Sequence, residues 1–157
     1  MVSSGNIEKM SKSKKNVVDP NDIIDLYGAD TARWFMLSDS PPERDLQWTE
    51  TGIASSYKFI NKIWDLLEKY KNYSEEIEVE EGHIDEFKIL INSVSKNIED
   101  FQFNKSVANI YEYVNLLNEK ITKRSLSKND FELVLLKLSI ILQPFVPHIS
   151  EELWSNL

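Results

Sequence analysis

Lys9-Met10-Ser11-Lys12-Ser13, continued by Lys14-Lys15-Asn16, is the densest run of chemically able side chains in the 157 residues. Lysine ammonium groups are compact point charges, while serine hydroxyls and backbone amides add hydrogen-bond donors. The segment from Met1 to about Val18 is polar, carries no helical periodicity and reads as a mobile loop. A mobile loop with this composition suits closure over a polyphosphate and reopening for product release. The plain alternative is a solvated basic loop.

The remaining inventory is thin. There are no cysteines, which excludes a disulfide framework and a cysteine-based zinc site. His83 and His148 are the two histidines, too few for a histidine metal cluster, so no metal site is expected on the chain itself. His148 follows Pro147 beside Glu151 and Glu152 and reads as a helix-start residue packed on its neighbours, with no nucleophile or base partner. His83 reads as a solvent-facing linker residue. The net charge of −8 is uneven: in the first twenty residues four lysines face Glu8 and Asp19, a net +2, which leaves −10 for the others. An acidic body argues against broad grasping of phosphate backbones and leaves any nucleic-acid contact to local basic faces. No apolar run approaches the roughly 20 residues that span a bilayer. The first residues lack the apolar stretch of a secretory signal, so a cytoplasmic setting is expected.

Helices must position the loop. Asp19-Pro20-Asn21-Asp22 has an acidic N-cap, proline in the first turn and a further carboxylate near the positive end of the helix dipole, and predicts a short helix ending at Gly28. A second start at Asp30 leads into Ala32-Arg33-Trp34-Phe35-Met36-Leu37, broken by Ser38-Asp39-Ser40-Pro41-Pro42. Asp30 and Arg33, three apart, are expected to pair with each other.

From Thr49 onward the pattern is regular. Ile53, Tyr57, Ile60, Trp64 and Leu67 form one apolar stripe, and Phe87, Ile91, Val94, Ile98 and Phe101 a second. Val107, Ile110, Val114, Leu117 and Ile121 form a third, and Phe131, Leu135, Leu138, Leu142 and Phe145 a fourth. All step by three and four residues, which predicts four helices with Trp64 in the core. Ser74 to Gly82 reads as an acidic link, Gln102 to Lys105 as a tight join and Ser127 as a capping residue; Pro144 and Pro147 interrupt the last helix. A weak alternation at Ile77-Glu78-Val79 is the single hint of a strand. Burying four stripes calls for an all-α fold: a loop and stem module over 1–48, then an antiparallel bundle of four to five helices over 49–157. The abrupt stop at Leu157, after an apolar segment, reads as an artificial boundary.

The Lys-Met-Ser-Lys-Ser string resembles the second signature of class I aminoacyl-tRNA synthetases. Asn16-Val17-Val18-Asp19-Pro20 and Tyr27-Gly28-Ala29-Asp30-Thr31-Ala32-Arg33 are similar to the segment joining catalytic domain and bundle in the leucine, isoleucine and valine enzymes. Arg33-Trp34-Phe35-Met36-Leu37, the run Ser40 to Trp48 and Phe59-Ile60-Asn61-Lys62-Ile63-Trp64 most resemble leucyl enzymes of bacterial type. The valine and isoleucine enzymes, or a non-catalytic RNA- or protein-binding helical module, are the alternatives. Phe103 to Ala108 and Gln143 to Trp154 resemble bundle elements across the subclass. One departure is Lys15, where many relatives have glycine.

The resemblance implies leucine–tRNA ligase chemistry: leucine attacks the α-phosphate of ATP, with Mg2+ as cofactor, and the leucyl group passes to tRNA(Leu). It makes Lys12 the first choice for transition-state stabilisation, with Lys9 assisting, and Met10, Ser11 and Ser13 completing the phosphate site. It also places the bundle on the tRNA side. Lys58 and Lys62, and the cluster Lys120, Lys123, Arg124 and Lys128, are the candidate RNA contacts; their alternative is solvated faces pairing with Asp65 or Glu119. A monomer is expected. The first class I signature, His-Ile-Gly-His, does not occur in these residues, so they are expected not to activate leucine alone.

Overall fold

In the computed structural model the described residues are 8–74 and 83–157, with the side chains of 83–85 left aside. Among them the chain is all-helical and contains no strand. Helix α1 is Pro20–Tyr27, α2 Ala29–Ser38, α3 Glu50–Lys71, α4 His83–Glu99, α5 Phe103–Thr122, α6 Lys128–Leu142 and α7 Pro147–Ser155, preceded by a 3-10 turn at Lys12–Lys14. The alternation at Ile77-Glu78-Val79 and most of the acidic link lie outside the described residues. His83 is not in a linker: its backbone opens α4.

Local chemistry sets the ends. The Asp19 side chain accepts from Asn21 N–H ahead of Pro20 and starts α1, and Thr49 and Ser127 cap α3 and α6 in the same manner. Gly28 has φ +84°, a conformation side chains rarely adopt, and alone turns the chain from α1 into α2. The second helix thus begins one residue before Asp30.

The third and fourth apolar stripes are buried as spaced, with Ile110, Val114, Phe131, Leu135, Leu138, Leu142 and Phe145 fully enclosed. Each enclosed Leu or Phe contributes roughly 1.5–3 kcal/mol of burial. The first two stripes are rotated from the expected register. In α3 the buried line is Ile53, Ser56, Phe59, Ile63 and Leu66 with Leu67, while Tyr57 and Trp64 face solvent. In α4 Leu90 takes the inward place, and Ile91 and the following Phe101 are exposed. The cause is visible in the sequence: both helices carry apolar residues at adjacent positions, Phe59-Ile60 and Ile89-Leu90-Ile91, so two faces satisfy the same spacing. Trp64 is therefore not a core residue.

Two apolar clusters result. The large one runs through α3 to α7 and includes Trp34 of α2; the small one joins Ile23 of α1, Phe35 of α2 and Ile53 of α3, flanked by Val18, Tyr27 and Trp48. Neighbouring residues of α2 thus enter different clusters, and that helix is shared between the loop-bearing segment and the bundle. Trp34 stacks on Phe59 at 4.7 Å, and Phe59 on Tyr111 at 4.5 Å. Close approach of α2 to α3 needs Gly52, where a Cβ would stand 2.5 Å from the Phe35 ring.

Candidate functional site

The lysine loop is a closed turn. Ser11 is extended, and its hydroxyl accepts from Lys14 N–H at 3.3 Å. Its own N–H donates to Asn16 Oδ1 at 2.8 Å, and Asn16 Nδ2 reaches back to the Lys9 carbonyl at 3.4 Å. Asn16 therefore ties the two ends of the loop together. Lys15 N–H donates to the Lys12 carbonyl at 3.2 Å, which requires Lys15 to adopt φ 53°. That left-handed conformation favours glycine, so the lysine found here holds the turn at a backbone cost of about 1 kcal/mol or more.

The cations differ in their freedom. Lys14 pairs with Glu8 at 3.0 Å with both side chains exposed. Lys9, Lys12 and Lys15 are exposed and have no ion-pair partner among the described residues. The Ser11 and Ser13 hydroxyls lie 3.2 Å apart beside them. Three unpaired ammonium groups on a short turn suit an anion with several oxygens, such as a polyphosphate. The donor set does not suit a cation, and no group of three or more metal-ligating side chains occurs among the described residues.

The candidate RNA contacts fall into two states. Lys58 is exposed on α3 and has no ion-pair partner among the described residues. Lys62, one turn on, donates to the Asn115 side chain and lies 6.0 Å from the Tyr111 ring, so its partner is not Asp65. In the second cluster Lys120 pairs with Glu86 and Lys123 with Glu119. The hydrogen bond and charge of Lys123 hold the Glu119 carboxyl below its ordinary range. Arg124 has interactions of its own, and Lys128 donates to the Tyr70 carbonyl with its ammonium 3.9 Å over that ring. Lys58 is thus the most available of them, and Lys62 is held by an amide rather than by a carboxylate.

Two expectations about partners are overturned. Asp30 does not pair with Arg33, and His148, a helix-start residue as expected, has a carboxylate partner after all, Asp30. Asp30, 7% exposed, accepts from Ile149 N–H at 2.7 Å and His148 N–H at 3.4 Å, and its Oδ1 lies 2.8 Å from His148 Nδ1. Arg33 donates to the Phe145 carbonyl at 3.1 Å and the Pro144 carbonyl at 3.2 Å. Glu151 accepts instead from Gln143 Nε2. Helix α7 has Val146 in its N-cap position and no cap from its own side chains, so α2 supplies that cap from over a hundred residues away. An uncapped Pro147 start was the one sequence signal for this contact.

Residues 1–49 match the family described as tRNA synthetases class I (I, L, M and V), and residues 83–157 match the anticodon-binding domain of tRNA ligase. With the capped Lys-Met-Ser-Lys-Ser turn leading into a helical bundle, these matches make the chain part of a class I aminoacyl-tRNA synthetase. Leucine–tRNA ligase of Brucella anthropi is 42% identical over 96% of this chain, and that of Zymomonas mobilis is 44% identical over 99%. A solved ternary complex, Agrobacterium radiobacter K84 agnB2 LeuRS-tRNA-LeuAMS, superimposes with a TM-score of 0.77 and 31% identity over 94% of this chain. Within the class, the chain belongs to the leucine–tRNA ligase family. It spans about a fifth of the length of these relatives: 19% and 18% of the two ligases and 20% of the solved chain.

Proposed function

We propose that the chain serves as part of a leucine–tRNA ligase, supplying the loop that closes on the phosphates of ATP and a helical bundle that lies beside tRNA(Leu). The observation that carries this reading is the turn itself: Lys9 and Lys12 stand exposed and unpaired on a backbone closed by Ser11 and Asn16. In this reading leucine carboxylate attacks the α-phosphorus, pyrophosphate leaves, and Lys12 meets the charge that grows on the phosphate oxygens, with Lys9 assisting. Ser13 and Ser11 shape the site, and Met10 spaces the two lysines. Mg2+ would be held by the phosphates and by groups outside these residues, neutralising charge on the same oxygens.

Residues 1–48 then form the loop-bearing module and 49–157 the bundle, in a cytoplasmic monomer. No helix among the described residues is long and apolar enough to cross a membrane. On the bundle, Lys58 and, once released from the Asn115 amide, Lys62 would touch the RNA backbone and position it without reading bases, with Lys120 and Lys123 contributing less because carboxylates hold them, and Arg124 less because of its own interactions. The relatives favour leucine over the valine and isoleucine alternatives.

The test is leucine-dependent pyrophosphate exchange in the full-length parent with Lys12→Ala. Loss of one positioned charge of this kind raises the barrier by roughly 3 kcal/mol, so exchange falls on the order of a hundredfold. A stand-alone binding module predicts instead a modest, salt-sensitive loss of affinity. The 157 residues alone are expected to show no exchange.

A further inference from the structure

We propose that Asp30 and Arg33 form the joint through which the bundle sets the position of the lysine loop, both acting as positioning residues for leucine activation. The inference rests on the function proposed above for that loop. The two side chains sit one turn apart on α2 and grip the two sides of one corner. Asp30 holds the N–H groups that open α7, and Arg33 holds the carbonyls of Pro144 and Phe145 just past the end of α6. A carboxylate at a helix start and a guanidinium at a helix end each match the local partial charge. Together they fix both the rotation and the slide of α2 against the α6–α7 corner.

From α2 the constraint has a continuous route to the loop. Phe35 packs with Ile23 of α1 and Ile53 of α3, Gly28 is the single residue between α1 and α2, and Val18 packs on the same cluster just ahead of the Asp19 cap. Two residues earlier Asn16 closes the loop onto Ser11 and Lys9. Val17, between Asn16 and Val18, is exposed. A shift of the corner therefore moves α2, α1 and the base of the lysine turn together. Arg33 touches neither Lys12 nor any group of the loop, and it is exposed, so its exchange opens no cavity; it leaves the Pro144 carbonyl to water and takes one donor from the carbonyl of the buried Phe145.

The experiment uses the full-length parent with Arg33→Met, Arg33→Lys, Lys12→Ala and the double change Arg33→Met with Lys12→Ala. The readouts are kcat and KM for ATP in leucine-dependent pyrophosphate exchange, and the thermal midpoint. A small misplacement of a reacting group costs on the order of tenfold or more in rate. Arg33→Met should lower kcat by that factor with only a small fall in the midpoint, the cost of the donor lost to the Phe145 carbonyl, and Arg33→Lys should restore part of both. In the Lys12→Ala background Arg33→Met should cost clearly less than it does alone, because the principal group it positions is gone and only the assisting Lys9 and the serines remain to be misplaced. Full multiplication of the two losses, or an Arg33→Met enzyme with unchanged kcat, overturns the joint while leaving the loop's function standing. An undiminished Lys12→Ala enzyme overturns both.

Discussion

Replacing Asp30 by alanine isolates the contact between α2 and α7 and should be the costliest single change at the corner. The carboxylate is buried and serves three donors: Ile149 N–H at 2.7 Å, His148 N–H at 3.4 Å and His148 Nδ1 at 2.8 Å. The His148 side chain is 73% exposed, so that contact is screened and contributes little. The 3.4 Å contact is long and weak. The short bond to Ile149 dominates: Ile149 is 8% exposed, and its N–H would lose its acceptor away from water. Leaving such a donor unmet costs about 1–3 kcal/mol, and loss of a helix cap about 1 kcal/mol; because these overlap, the expected total is about 2–3 kcal/mol. Asp30→Asn keeps one acceptor and should cost about half as much. His148→Ala should cost under about 0.5 kcal/mol, as exposed changes do. Urea denaturation of the 157-residue chain, followed by circular dichroism, measures all three. If Asp30→Ala costs no more than His148→Ala, the carboxylate does not cap α7 and the reasoning fails.

Gly52→Ala should destabilise the chain by about 1–2 kcal/mol: overpacking against Phe35 and Thr49 outweighs the roughly 1 kcal/mol gained in helix propensity, and the same denaturation series reads it. Tyr70 donates to Glu132, and that hydrogen bond, with burial and the carboxylate charge, pushes its hydroxyl up to about 12. The neutral form is the one the fold favours, so this contribution is complete below about pH 10 and is lost as pH rises through about 12. Burial also raises Tyr113, so the alkaline loss of stability should persist in Tyr70→Phe but with a shallower slope between pH 10 and 12. An unchanged slope would rule out the Tyr70–Glu132 contribution.

Much of the helical architecture was legible because its signals are local. Asp19 with Pro20, Thr49 and Ser127 start helices in any context, and in α5 and α6 the spaced stripe coincides with the buried face, although α6 also carries the apolar runs Leu133-Val134-Leu135-Leu136 and Ile140-Ile141-Leu142. Registers failed where apolar residues adjoin, as at Phe59-Ile60 and Ile89-Leu90-Ile91, since the spacing then fits two faces and the neighbours decide. That is why Trp64 faces solvent. The loop's residues were legible by type, but its closure by Asn16 was not, because an amide side chain reaching five residues back leaves no periodic trace. Asp30 and Arg33, three residues apart, read as a pair in the sequence, since sequence proximity is visible there and the α6–α7 corner is not. Their true partners lie 111 to 119 residues away.

Leucyl-adenylate formation and leucyl transfer can be separated in single turnovers of the full-length parent, and the comparison of Lys12→Ala with the unaltered enzyme in both steps bears most directly on the lysine turn. The expected result is a large loss in the step that releases pyrophosphate, with transfer to tRNA(Leu) from adenylate already formed proceeding at near-normal speed. Equal loss in both steps, or none in the first, would contradict a role for the Lys12 ammonium at the phosphates.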